Sequence, residues 1–180
     1  MIMLNAKIIF SAPVYTTEDP EKVKGAVSNI VNFGKPKNEE IQPTLISGAN
    51  PNKDSKIRDE DRINPFVSDA ESIKQTVSVE GDLTLLSSIH YLVRREEIID
   101  TANTALINGV SEDGCSLTVL LNKQAAFMKH LSFPADIESL GSVALTIKTE
   151  TSDELEKIID WLTPPTKDGI PLYELKMSDL

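Results

Sequence analysis

The chain has 180 residues, of which 40% are hydrophobic and 26% are charged, and its net charge is −10. This length suits a single domain, residues 1–180, with a sizeable core. An acidic chain repels phosphate backbones at long range, so overall charge argues against broad nucleic-acid binding but leaves room for a local basic patch.

The compartment is predicted from cysteine usage and hydropathy. Cys115 is the single cysteine, so no internal disulfide can form, which favours a reducing, intracellular setting. The N-terminal stretch has no basic leader, and no apolar run approaches the ~18 residues that a membrane helix needs. We therefore expect a cytoplasmic protein with no membrane partner.

The first predicted elements are a strand and a helix. Polar and apolar residues alternate from Ala6 to Val14, which predicts a strand that ends or lies at a sheet edge at Pro13. Asp19 is a favourable N-cap and Pro20 fits the first helical position. Apolar residues at helical spacing follow as far as Val31, so the helix is expected to pack on the sheet.

Residues 35–68 differ from the rest of the chain in composition and in their lack of a regular apolar pattern. They are rich in proline, asparagine and balanced charges and show little periodicity. A structureless connection of this length is rare inside a compact domain, so we interpret it as a polar, Pro-rich insertion, with a short hairpin around Thr44 to Ile46.

The second half predicts further strands and helices. Ile73 to Val79 alternates as a strand and is followed by two amphipathic helices. Leu117 to Leu121 is almost entirely apolar, as expected for a central strand covered on both faces. Asn122 can cap a short helix that ends near Lys129, and Leu131 to Phe133 is predicted as a brief strand.

The last predicted elements are a strand over Val143 to Ile147 and a helix that opens with a capping box of Thr151 and Glu154. The tail after about residue 166 is expected to fray. The mixed order of strands and helices favours an α+β fold, a two-layer sandwich with helices packed on one face of a mixed, mostly antiparallel sheet.

No sequence motif establishes a chemical activity. Phosphate-binding glycine loops are absent, and one cysteine with two histidines cannot complete a four-ligand zinc site. Cys115 with His130 could form a nucleophile and base, although a small buried filler explains Cys115 better. Glu18 with Asp19 could bind a cation, but a helix cap is the better interpretation of Asp19. We therefore predict no catalytic residues, no metal and no cofactor.

The turn Asn122–Lys123–Gln124 is the strongest candidate for a binding site. A helix start exposes free N–H groups that favour anions. Lys123 would add a positive charge, and the side-chain amide of Gln124 would add a hydrogen-bond donor and acceptor. The alternative is that Asn122 only caps the helix and Lys123 is solvated. Arg94 and Arg95 could hold a phosphate or a partner carboxylate, or mark a solvated helix junction. The predicted RNA- or anion-binding residues are Asn122, Lys123, Gln124, Lys129, Arg94 and Arg95.

Two blocks of sequence carry a resemblance. The stretch from Ala12 to Val23, APVYTTEDPEKV, and the stretch from Leu121 to Ala126, LNKQAA, followed by Leu140 and Gly141, resemble an archaeal family of uncharacterised conserved proteins. That family is labelled as predicted RNA-binding or exosome-associated, with a fold similar to the large-subunit ribosomal protein L-five. The resemblance would place a glycine between Met128 and Leu131, where this chain has Lys129 and His130.

The resemblance implies a non-enzymatic RNA-binding protein. Fold analogy is its only support, so two other hypotheses stay open. One is a protein-interaction module or homodimer with no nucleic-acid role. The other, weaker one is a small-molecule enzyme with an anion site at Lys123.

Overall fold

A computed structural model describes residues 4–47, 73–134 and 141–180 of the chain. The strands of the main sheet are β1 (Lys7–Tyr15), β2 (Thr44–Ser47), β3 (Ile73–Gly81), β4 (Ser116–Leu121) and β5 (Val143–Lys148). The helices are α1 (Pro20–Val31), α2 (Ser87–Arg95), α3 (Ile99–Asn108), α4 (Lys123–Phe127) and α5 (Ser152–Leu162). The sheet has the order β2-β3-β1-β5-β4, and each neighbouring pair is antiparallel.

β1 is the central strand and continues to Tyr15, so the prediction that the strand ends at Pro13 is wrong, whereas the side of β1 that faces β5 is unpaired at Pro13, as an edge would be. β1 pairs with β3 as far as Tyr15, but its pairing with β5 stops at Ser11. The Pro13 carbonyl accepts a hydrogen bond from Lys123 Nζ at 2.7 Å instead of from a strand. Because the N–H and C=O of an antiparallel strand residue point to the same side, the missing N–H of Pro13 removes no ladder bond.

β4 is an edge strand, although its apolar run predicts a central one. Leu117, Val119 and Leu121 are buried, whereas Thr118 and Leu120 face outward and Leu120 is 49% exposed. The apolar run misleads because the outward-facing Leu120 fills a position that alternation would give to a polar residue. A segment beside β4 covers part of this edge, since Thr118 N–H donates to the Gly109 carbonyl at 3.0 Å.

The predicted α+β two-layer sandwich is confirmed. One face of the sheet is buried beneath the helices, and the alternate residues of β1 on that face have no exposed surface: Ile8, Phe10, Ala12 and Val14. Buried residues of all five helices complete the core on that side, among them Ile30, Leu92, Leu106, Ala126 and Ile158. The opposite face of the described sheet carries half-buried or exposed residues.

The predicted helix starts are confirmed because their signals are local. The Asp19 carboxylate accepts from Glu21 N–H at 3.0 Å and caps α1. Thr151 and Glu154 form the reciprocal capping box of α5. Asp82 caps a 3-10 turn, Leu83–Leu86, that leads directly into α2.

α4 ends at Phe127, sooner than predicted, in a tight C-terminal turn. Lys129 N–H donates to the Ala126 carbonyl at 3.0 Å and His130 N–H to the Ala125 carbonyl at 2.8 Å, the paired bonds of a Schellman motif. Lys129 takes the left-handed position of this motif, with φ of 62°. The following residues form no strand, although Asn122 N–H donates to the Ser132 carbonyl at 2.8 Å.

Lys129→Gly is expected to raise the free energy of unfolding by about 1 kcal/mol, because glycine adopts the left-handed conformation without a steric cost. Urea denaturation measures the change. Lys129→Ala removes the same charge but keeps a Cβ, so it should give no such gain. Equal stability of the two variants would contradict a strained backbone at this position.

Part of the predicted insertion lies within the described residues. It contains a 3-10 turn, Lys37–Glu39, and strand β2, and the Asn32 side chain bonds both the N–H and the carbonyl of Ile41. Residues 48–68 of the predicted insertion lie outside the described residues.

The tail, for which the sequence predicts fraying, folds back on the domain. It forms a small hairpin of β6 (Thr166–Lys167) and β7 (Ile170–Pro171) and a 3-10 turn, Met177–Asp179. Leu175, Met177 and Leu180 pack against the core.

Candidate nucleic-acid interface

Lys123 points into the protein. Its Nζ lies 3.0 and 3.2 Å from the two carboxylate oxygens of Glu18 and 5.5 Å from the centre of the Tyr15 ring. The Lys123 side chain is 8% exposed and that of Glu18 11%. Burial lowers the pKa of Lys123, and the hydrogen bond and charge of Glu18 oppose that shift. Lys123 therefore joins α4 to the end of β1, and the prediction that it presents its charge to an outside anion does not fit this position.

The other two residues of the predicted turn have different environments. The Asn122 side chain accepts from Ala125 N–H at 2.8 Å, so it caps α4. Gln124 is exposed. Since α4 has only five residues, its N-terminus contributes little dipole for anion binding.

Arg94 and Arg95, although adjacent, serve different surfaces. Arg94 forms a two-pronged ion pair with Glu174, at 2.6 and 2.9 Å, and also donates to three main-chain carbonyls. These contacts tie α2 to the tail, and they engage the guanidinium of Arg94 in intramolecular hydrogen bonds. Arg95 lies over the Phe33 ring, with its Cζ 4.7 Å from the ring centre, and donates to the Lys129 carbonyl at 3.4 Å.

Arg95 belongs to a cluster that we call the aromatic–basic surface: Phe33, Tyr91, Arg95, Lys129 and His130. The rings of Phe33 and Tyr91 stack with centres 5.6 Å apart and planes 24° apart. Tyr91 is 55% exposed, so part of its ring remains open to a partner. The surface brings together the end of α1, the exposed side of α2 and the turn after α4.

The charge of this surface is partly balanced by Glu96. Its carboxylate lies 3.2 Å from Arg95 and 2.9 Å from His130 Nδ1. Lys129 is exposed next to this pair and adds a further positive charge. Two permanent positive charges, those of Arg95 and Lys129, thus lie together with the carboxylate of Glu96 in a chain whose net charge is −10.

Two apolar side chains at the end of α4, close in sequence to Lys129, are exposed. Phe127 is 46% exposed and Met128 is 67% exposed. Asn29 holds α4 in place by donating to the carbonyls of Ala126 and Phe127 at 3.3 and 2.9 Å.

The structure thus brings Arg95 and Lys129 together and uses Asn122, Lys123 and Arg94 internally. Phe33 and Tyr91 are not among the contact residues predicted from the sequence. A signal existed for Tyr91, which lies four residues before Arg95 and therefore on the same side of α2. No local pattern places Phe33 beside them, because it follows α1 and reaches α2 only through tertiary packing.

The structure does not bring together the candidate nucleophile and base, Cys115 and His130, or form a cation site from Glu18 and Asp19. Cys115 and His130 lie beyond opposite ends of β4, and a six-residue strand spans about 20 Å. Asp19 is used as a cap and Glu18 pairs with Lys123. Within residues 4–47, 73–134 and 141–180, no cluster of histidine, cysteine and acidic side chains could hold a metal ion.

Among the residues that the structure describes, no helix has the length and apolar character to cross a bilayer.

Fold and surface together define an α+β domain with a candidate nucleic-acid-binding face. The chain belongs to a family whose model, described as RNA binding, matches residues 7–150. Its relatives are archaeal UPF0201 proteins. The one from Methanosarcina acetivorans is 38% identical over 98% of this chain and 94% of the relative, and the one from Methanopyrus kandleri is 34% identical over 97% and 95%.

Solved structures share the fold. The crystal structure of a UPF0201 protein from Methanococcus jannaschii superposes with a TM-score of 0.66 at 24% identity, covering 93% of this chain and 99% of that one. The family model and the relatives confirm the predicted membership of a conserved archaeal family. The exosome association and the similarity to the ribosomal protein L-five stay predictions.

Proposed function

We propose that this chain is a cytoplasmic, non-enzymatic RNA-binding protein that contacts RNA through the aromatic–basic surface. The observation that carries the proposal is the stack of Phe33 and Tyr91 beneath Arg95, with Lys129 and His130 alongside. The description of the matching family model gives independent support for RNA as the ligand.

The chemistry of these side chains suits unpaired nucleotides. Protein recognition of single-stranded RNA relies on bases that stack on aromatic rings or on arginine planes. The exposed part of the Tyr91 ring can receive a base, while Arg95 and Lys129 lie where a phosphate backbone would pass. The acidic chain as a whole repels RNA, so this local surface must supply the attraction.

The first test is fluorescence anisotropy with a labelled, unstructured oligouridine RNA over a salt series that starts at ~50 mM. Each cation that neutralises a phosphate of a single strand contributes about −0.7 to the slope of log K against log salt. Two contacts, from Arg95 and Lys129, predict a slope of about −1.4. No binding at the lowest salt, or a slope near zero, would contradict the proposal.

Arg95→Gln should weaken RNA binding and reduce the magnitude of that slope by about 0.7, because one phosphate contact is lost. Lys167→Gln is the matched control, since Lys167 is an exposed cation on the tail hairpin, outside the aromatic–basic surface. Equal effects of the two substitutions would show that only overall charge matters.

A further inference from the structure

A long groove lies between α3 and α5, in a different part of the helix layer from the aromatic–basic surface. The two helices run antiparallel, because Asp100 at the start of α3 accepts a hydrogen bond from the Thr166 hydroxyl beyond the end of α5. Gly114 and Ser152 line the other end of the groove. The groove encloses about 950 Å³, and the eleven residues of α5 give it a length of about 16 Å.

The floor of the groove is apolar. It is lined by Ile107, Val110, Leu155, Ile159 and Pro164. Ile107 is 55% exposed, which is high for an isoleucine on a helix that packs against the core. Contact with a partner would remove this side chain from water and so contribute to binding.

The rim of the groove is acidic. Four carboxylates, Asp100, Asp153, Glu156 and Asp160, line it together with one cation, Lys157. Asp100 accepts from the Thr166 hydroxyl and Asp160 from the Tyr173 hydroxyl at 2.8 Å, so the tail fixes two of these carboxylates in place. A nucleic acid would be repelled here, whereas a basic partner would be attracted.

We propose that the α3–α5 groove binds a basic amphipathic segment of another protein, with apolar side chains on the floor and lysines or arginines against the carboxylate rim. An apolar channel between two helices, bordered by charges of one sign, is the form that takes an amphipathic helix of the opposite charge. The C-terminal region of this chain, residues 136–180, has ten acidic residues and four lysines, so a second copy would bring like charges together.

This inference does not depend on RNA binding. None of the residues that line the groove belongs to the aromatic–basic surface. The protein could therefore hold a basic protein segment at one place and RNA at another, and each interaction can fail separately in experiments.

The test uses a fluorescein-labelled synthetic peptide of about 18 residues with leucines at i, i+3, i+4 and i+7 spacing and lysines elsewhere. A second peptide of the same composition, with its leucines spread around the helix, is the control for charge. Anisotropy at ~150 mM salt, where exposed charges are substantially screened, should show binding of the amphipathic peptide at least about 10-fold tighter than of the control.

Ile107→Asp should weaken binding of the amphipathic peptide by about 10-fold or more, because it removes an apolar contact from the floor. Leu120→Asp is the matched control, since Leu120 is similarly exposed, at 49%, but lies on β4 outside the groove. Glu156→Lys should also weaken binding of the amphipathic peptide, because it replaces a carboxylate of the rim by a positive charge that repels the peptide lysines. Ile107 and Leu120 are both exposed in the folded protein, and thermal melting checks that each variant is folded.

Three results would overturn the inference. The first is equal binding of the two peptides, or no binding of either. The second is an equal loss for Ile107→Asp and Leu120→Asp. The third is a concentration-dependent dimer in sedimentation that Ile107→Asp dissociates, because a second copy would then occupy the groove.

Discussion

Lys123→Met is expected to lower the free energy of unfolding by about 3 to 5 kcal/mol, because it leaves the Glu18 carboxylate buried without its partner. The Lys123 and Glu18 side chains are only 8% and 11% exposed, so water cannot replace the lost contact. The substitution also removes the donor that satisfies the Pro13 carbonyl at 2.7 Å. Urea denaturation of the purified protein measures the loss.

The matched control is Lys7→Met, since Lys7 pairs with Glu80 at the similar distance of 2.9 Å but both side chains are more than half exposed. Exposed ion pairs contribute at most about 1 kcal/mol, so this variant should be nearly as stable as the wild type. Adding Glu18→Gln to Lys123→Met should recover part of the stability, because the unpaired charge disappears. If both lysine variants lose the same small amount, Lys123 is not a structural residue.

Acidification is expected to destabilise the protein through His90. The His90 ring stacks on Trp161 with centres 4.7 Å apart and is 24% exposed. Burial and the positive charge of Arg94 lower the pKa of His90 to about 4, against the opposing effect of Glu174. Since the unfolded chain binds the proton near pH 6.5, the folded state loses stability as pH falls from about 6.5 to about 4. The shift corresponds to about 3 kcal/mol.

His90→Phe tests this directly, because phenylalanine keeps the ring against Trp161 but does not titrate. Urea midpoints between pH 7 and pH 4 should fall more steeply for the wild type than for the variant. Carboxylates with lowered pKa that do not interact with His90, such as Asp82, whose pKa is lowered by its hydrogen bonds from Thr84, add their own loss at lower pH and equally in both proteins. Parallel curves above pH 4 would contradict a neutral, buried His90.

Local signals account for the parts of the fold that the sequence predicts. The N-cap at Asp19 and the capping box at Thr151 involve residues two or three positions apart, so the sequence contains the whole interaction. The alternation of β1 likewise predicts which of its faces is buried. The place of β4 at the sheet edge depends instead on strand order, which its own residues do not encode.

In the candidate site, too, the contacts that the sequence does not predict are those between residues far apart in the chain. Lys123 is predicted to add its charge to an anion site at the start of α4, but its ion-pair partner Glu18 is 105 positions away. Arg95 and Lys129 are predicted as contacts and do lie together, 34 positions apart. The stacking of Phe33 on Tyr91 depends on tertiary packing, which brings the residue after α1 against α2.

The measurement that tests the central claim most directly compares Tyr91→Ala with Tyr173→Ala in binding to single-stranded RNA. Both tyrosines are exposed, at 55% and 45%, but Tyr173 bonds Asp160 outside the aromatic–basic surface. Loss of one base–aromatic stack costs about 1 to 3 kcal/mol, so Tyr91→Ala should weaken binding by about 10-fold while Tyr173→Ala leaves it unchanged. Unchanged affinity of Tyr91→Ala would contradict an RNA site at this surface.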